Sequence, residues 1–163
     1  MKNLDKKRLK KRMYLFLIFI WMISVFAFSG QGGTESSGTS RKVTEFVVQV
    51  ISDKSKEENR ECIANLDKII RKLAHYTIYT IGGIVIYHYA NTTDKGKKTK
   101  ILGSIAFGAC YAITDEIHQY FVPGRSARLF DVGIDTLGVI TGVFIYLVII
   151  YSIQKWRATQ VKS

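Results

Sequence analysis

The chain has 163 residues, 47% of them hydrophobic, with a formal net charge of +11 and a single proline. Length alone suits one modest soluble domain, but the apolar residues gather into four long runs, and the last has no polar stripe to face water, which excludes an ordinary soluble bundle. The basic residues collect near the ends of those runs, so the charge is not a nucleic-acid footprint, and two cysteines make no disulfide framework.

Residues 1–12 form a basic tail containing Lys6-Lys7-Arg8 and Lys10-Lys11-Arg12. The apolar run 13–29 follows and predicts a first transmembrane helix. A basic start and Ala27-Phe28-Ser29 before Gly30 also fit a signal peptide with a small-residue cleavage site. The length of the run and Trp21 among its bulky residues favour an uncleaved anchor. Either way the next segment, 30–67, falls outside.

That outer loop opens with a Gly/Ser/Thr-rich linker over 30–40. Val43, Phe46, Val47, Val50 and Ile51 then recur at helical spacing, predicting a short amphipathic helix that caps the bundle or lies on the outer leaflet, capping being the favoured role. From Asp53 to Glu61 the charges are mixed, as on a solvated face.

Ile69–Ala90, Ile101–Phe121 and Leu129–Tyr151 are three further apolar runs, each near the roughly 20 residues needed to cross about 30 Å of hydrocarbon. Backbone groups in lipid must be satisfied internally, so these runs should be helices. The expected fold is all-α, an integral membrane bundle of four transmembrane helices with a short amphipathic outer helix. Its core is 68–151, and 152–163 is a second tail. With the amino terminus inside, four crossings put the basic tail, then Lys95, Lys97, Lys98 and Lys100, then Lys155, Arg157 and Lys162 all on the cytoplasmic side, as the positive-inside rule requires. The chain is therefore expected to be a multi-pass protein of the cell membrane with both termini cytoplasmic. Cys62 would lie outside and Cys110 near the middle of the third helix. Gly82 and Gly83, Gly103 and Gly108, and Gly138 and Gly142 offer small-residue surfaces for close helix approach. Pro123-Gly124 predicts a tight turn between the third and fourth helices.

The block from Thr114 to Asp135 is the densest polar stretch between apolar runs. Ionisable side chains near a helix centre in a bilayer cost roughly 2.5–3.5 kcal/mol each, so they persist when paired, hydrated or functional. Topology adds geometry to this. His75 lies about six residues into the second helix, Asp115 about six from the outer end of the third, and Asp135 about six into the fourth, each roughly 9 Å deep. Nearer the surface come Lys68, Arg71 and Lys72, then Glu116, His118 and Gln119, then Arg125, Arg128 and Asp131. Arg71 with His75, Asp115 with Gln119 and Asp131 with Asp135 share faces at i,i+4, and His118 is i+3 from Asp115.

The expected ligand-binding set is Lys72, His75, Asp115, Glu116, His118, Gln119, Arg125, Asp131 and Asp135. Asp115, Glu116, His118 and His75 are the acid/base candidates should the site be catalytic. No spacing here has the specificity of a paired-histidine zinc motif, so neither a metal nor another cofactor is assigned. Three uses stand open. Lys72 or Arg71 could pair with Asp115 or Asp135 to fix helix register. The cationic rim could bind a phosphate-bearing or amphiphilic ligand from the outer leaflet, or the site could be an enzyme acting on one. Four helices are few for a transporter unless the chain forms homo-oligomers.

Lys72-x-x-His75-x-x-x-Tyr79, then Tyr111-Ala112-x-x-Asp115-Glu116-Ile117-His118-Gln119-x-Phe121-Val122-Pro123-Gly124-Arg125-Ser126, then Asp131-x-x-x-Asp135-x-x-Gly138 resemble the VanZ-like family. The resemblance runs from about Lys68 to Tyr151, and Phe28-Ser29-Gly30-Gln31 is similar to the end of that family's first helix. After Arg125, Ser126-Ala127-Arg128-Leu129-Phe130 departs from the commoner run, in the loop rather than the acidic pair. The resemblance implies a Gram-positive setting and a part in teicoplanin-type glycopeptide tolerance or cell-envelope homeostasis. Membrane lipids, a lipid-linked cell-wall precursor or a lipoglycopeptide are the partners it implies. It brings no reaction with it.

Overall fold

A computed structural model describes residues 2–30, 42, 44–48, 50, 60–123, 125 and 127–160. Among the described residues four long helices make up the bundle: α1 (Lys2–Gly30), α2 (Arg60–Asn91), α3 (Lys97–Tyr120) and α4 (Leu129–Gln160). Each outruns the apolar stretch that predicts it. α1 continues through the basic residues that precede Met13, α4 runs on to Gln160, and α2 starts two turns before Ile69. Helical hydrogen bonding has no reason to stop where apolarity does, and lysine and arginine are good helix formers.

Among the described residues two helices, Asp5–Gly30 and Leu129–Gln160, are long and apolar enough to cross a membrane. α2 carries Lys68, Arg71, Lys72 and His75, and α3 carries Asp115, Glu116, His118 and Gln119, which lower their mean hydropathy. The distribution of side chains is inverted relative to a soluble bundle. Ser29, Ser104, Asp115, Glu116, Gln119 and Asp135 are buried, while Phe16, Phe19, Ile117, Leu137 and Phe144 point outward. Apolar faces turned outward around a polar interior are what a lipid solvent selects.

α2 and α4 share the most extensive interface, with α3 against α4 and α1 laid across α2 and α3. Glycine makes the α2–α4 seam. A Cβ on Gly83 would come within 2.3 Å of the Val139 carbonyl oxygen, one on Gly138 within 2.6 Å of that of Tyr76, and one on Gly142 within 2.0 Å of that of Thr80. Backbones this close leave no room for any side chain, and they gain dispersion contact along the seam. Gly103, expected to serve the same purpose, has nothing within 4 Å of its Cβ position and takes no part in packing.

α1 is anchored by Trp21, whose indole donates to the Ile78 carbonyl at 2.8 Å and lies over Gly82, and by Tyr111, which donates to the Met22 carbonyl at 2.6 Å. Trp21, Val25, Tyr79, Ala112 and Val139 form the main apolar core, and Tyr87, Val143 and Tyr146 form a second. At one end of the bundle, Lys7 pairs with Asp94 at 2.9 Å. This sets the basic start of α1 beside the α2–α3 turn that carries Lys95.

Between α1 and α2, residues 42, 44–48 and 50 are helical. The buried face there is Thr44 and Val48, whereas Phe46 and Val50 are exposed. Of the expected apolar stripe, Phe46 and Val50 thus point outward and Val47 is half-buried. Val43 and Ile51 lie outside the described residues.

Candidate functional site

The polar residues converge because three helices bring their acidic or basic turns to the same end. On α2, Asp67, Arg71 and His75 follow one another at i,i+4, so they stack along one face with Lys68 and Lys72 beside them. The last turns of α3 present Asp115, Glu116 and Gln119, all buried. α4 begins at Leu129 and presents Asp131 and Asp135 over its first two turns. The connection between α3 and α4 turns around Pro123, closed by the Arg125 amide donating to the Val122 carbonyl at 3.1 Å. Proline at the second position of such a turn is pre-set in φ.

Together they enclose a cavity of about 330 Å³. Lys68, Arg71, Lys72 and His75 line it from α2, Glu116 and Gln119 from α3, Arg125 and Arg128 from the connection, and Asp131, Ile134 and Asp135 from α4. At its base, donor atoms of His75, Asp115 and Asp135 all lie within 4.8 Å of one another. His75 Nδ1 stands 3.8 Å from Asp135 Oδ2, an ion-pair separation too long for a hydrogen bond. Higher up, Lys72 is paired with Asp131, Arg71 Nη2 with Asp67 Oδ2 at 3.0 Å, and the Arg128 amide donates to the Glu116 carboxylate.

A chain of hydrogen bonds joins this wall to the end of α1. Ser29 Oγ donates to Asp115 Oδ2 at 2.8 Å, and Gln119 Nε2 donates to the same oxygen at 3.0 Å. Gln119 Oε1 accepts from Arg125 Nη1 at 3.1 Å, and Arg125 Nη2 donates to the Phe28 carbonyl at 3.3 Å. Burial, and then the neighbouring Arg71, pull the Arg125 guanidinium below the ordinary arginine value. It starts so high that it stays charged at neutral pH.

Of the residues expected to bind a ligand, Lys72, His75, Glu116, Gln119, Arg125, Asp131 and Asp135 line the cavity. Asp115 stands behind the lining, held by Ser29 and Gln119. His118 does not join them. Its ring stacks on Phe26 of α1 with centroids 3.9 Å apart, which turns it out of the cavity. The pairs expected to fix register are also not the ones formed, because Lys72 goes to Asp131 and Arg71 to Asp67 rather than to Asp115 or Asp135. Two contributors fall outside the expected set. Asp67 precedes the apolar run and so belongs to the predicted outer loop, and Ser29 stands in the sequence only as a cleavage position and as part of the family likeness.

Fold and site together define an all-helical membrane protein with a polar, mixed-charge cavity at one end of its bundle. The chain belongs to the VanZ/LLP1 family, whose match covers residues 14–151 and so takes in α1 and Ser29 as well as the three-helix core. No match was found among curated proteins or among solved structures.

Proposed function

We propose that this chain crosses the membrane four times with both termini cytoplasmic, and that its cavity opens to the outer face. There it takes the phosphate-bearing head of an envelope lipid or lipid-linked wall precursor, contributing to teicoplanin-type tolerance or envelope homeostasis. The observation that carries the ligand class is the charge of the lining. Five basic side chains face three carboxylates, and among the described residues Lys68 and the Arg128 guanidinium have no ion-pair partner. A phosphate group accepts several charge-assisted hydrogen bonds and is the natural complement of such a rim. The Lys7–Asp94 contact supports the topology, since it gathers basic segments at the end opposite the cavity.

Topology is checked by labelling intact cells with a membrane-impermeant maleimide, for which Cys62 should react and Cys110 should not. Function is checked by expression in a susceptible Gram-positive host, where teicoplanin tolerance should rise more than vancomycin tolerance. Equal or absent protection, with the protein present in the membrane, removes the resistance role. A second reading, an enzyme acting on the same phosphate-bearing substrate, is favoured by the His75–Asp135 pair beneath the basic rim. Release of a product from the lipid would distinguish it from binding alone.

A further inference from the structure

Asp115 and Asp135 are each only 3% exposed, and Lys72 and Arg71 pair with Asp131 and Asp67 rather than with either of them. Two buried carboxylates side by side repel each other and are costly in a medium of low dielectric. The contact in place is His75, 3.8 Å from Asp135. We propose that His75, Asp115 and Asp135 form a binding site for one divalent cation, one ligand from each of three helices, with the Tyr79 hydroxyl beside it as a further donor. This does not rest on the ligand proposed above.

The donor set fits. One imidazole nitrogen and two carboxylates suit a first-row divalent ion such as Mn²⁺ or Zn²⁺ better than the soft thiolate-seeking metals. Ligand bonds of about 2.0–2.2 Å put ligand atoms roughly 3–4 Å apart. The three atoms already lie within 4.8 Å of one another, so the site closes by small side-chain movements.

A second observation points into the same spot. Asp115 Oδ1 and the Tyr79 hydroxyl are buried without a hydrogen-bond partner, and Tyr79 is fully buried within electrostatic reach of both Asp115 and Asp135. The hydroxyl neighbours the Asp115 carboxylate without reaching hydrogen-bond geometry, and unmet buried groups ordinarily cost about 1–3 kcal/mol each, a cost that a cation held by the carboxylates would offset. The bonds that are made are those of a supported ligand. Ser29 and Gln119 both donate to Oδ2 of Asp115, fixing the carboxylate while Oδ1 keeps no hydrogen-bond partner of its own. Outer hydrogen bonds that orient a ligating carboxylate are a regular feature of metal sites. His75 and Asp135 also line the cavity, which supplies the entry path.

The test is titration of chelator-treated, detergent-solubilised full-length protein with Mn²⁺, followed by electron paramagnetic resonance, and with Zn²⁺, followed by calorimetry. Wild type should saturate at one equivalent of at least one of the two ions and gain thermal stability as it does. His75→Gln, Asp115→Asn and Asp135→Asn should each weaken binding by about 100-fold or more, and Ser29→Ala by roughly tenfold, through loss of orientation. Asp94→Asn, which removes an exposed carboxylate at the other end, should bind as wild type does. Failure of wild type to saturate with either ion overturns the proposal whether or not any variant folds. So does a His75→Gln/Asp135→Asn double variant that binds as tightly as wild type.

Discussion

In the middle of the bundle α2 and α4 meet backbone to backbone through Gly83, Gly138 and Gly142, while from about one turn beyond Gly138 the same helices line a cavity rich in charge. The seam excludes every side chain, and the cavity is furnished almost entirely by long polar ones. Cohesion in lipid comes from close packing, and polar contacts between membrane helices average only about 0.6 kcal/mol. The glycine seam and the Trp21 anchor supply close packing that does not depend on the charged end. The role proposed for that end is recognition rather than cohesion.

The largest effect should come from filling the seam. Gly142→Ala sets a methyl 2.0 Å from the Thr80 carbonyl oxygen, an obstruction that only separation of the helices can relieve. A loss of about 3 kcal/mol is expected, at the upper end of the overpacking range. Gly103→Ala meets nothing and should be neutral or gain up to about 1 kcal/mol from helix propensity. Denaturant titration of the two variants in detergent gives both values, and equal stabilities would dissolve the contrast between seam and cavity.

Next comes the ion pair at the cavity. Lys72 is about a third exposed and also lies over the Phe130 ring, so Lys72→Met should cost about 1 kcal/mol or less. A buried pair that fixed helix register would lose about 3–5 kcal/mol when one partner is removed. A double-mutant cycle with Asp131→Asn measures the coupling directly, and a value near the larger figure would return the charged end to a structural role.

The smallest effect belongs to the other end. A hydrogen bond from Lys7, and then its charge, hold the Asp94 carboxyl below its ordinary value of 3.8. A lowered folded-state value means a contribution present above the ordinary carboxylate range and lost as pH falls through the lowered one. The pair is exposed and screened by salt, so the melting temperature of Asp94→Asn should differ little from that of wild type at pH 7 and not at all near pH 2.

Depth was readable from the sequence because antiparallel helices joined in series convert residue count into height at about 1.5 Å per residue. That arithmetic put His75, Asp115 and Asp135 at one level, and their donor atoms lie within 4.8 Å of one another. Direction around the helix was harder to read. Three residues advance the helix about 300°, so His118 stands about 60° away from Asp115, enough to face Phe26 of α1 instead of the cavity. Pairing could not be read at all. Five bases and several carboxylates occur at this end, and who meets whom depends on lateral helix placement that hydropathy does not encode. The same gap hid Ser29, whose role exists only because α1 lies against α3.

Lipid binding by native mass spectrometry tests the proposed recognition of a phosphate-bearing head group by the cavity. Wild type in mild detergent should retain a short-chain phosphate-bearing lipid and not the matching neutral diacylglycerol. A Lys68→Gln/Arg128→Gln variant should weaken that retention at least about tenfold, equivalent to roughly 1.4 kcal/mol, with an unchanged melting temperature. Equal retention of charged and neutral lipids, or a double variant that binds as wild type does, would contradict the account.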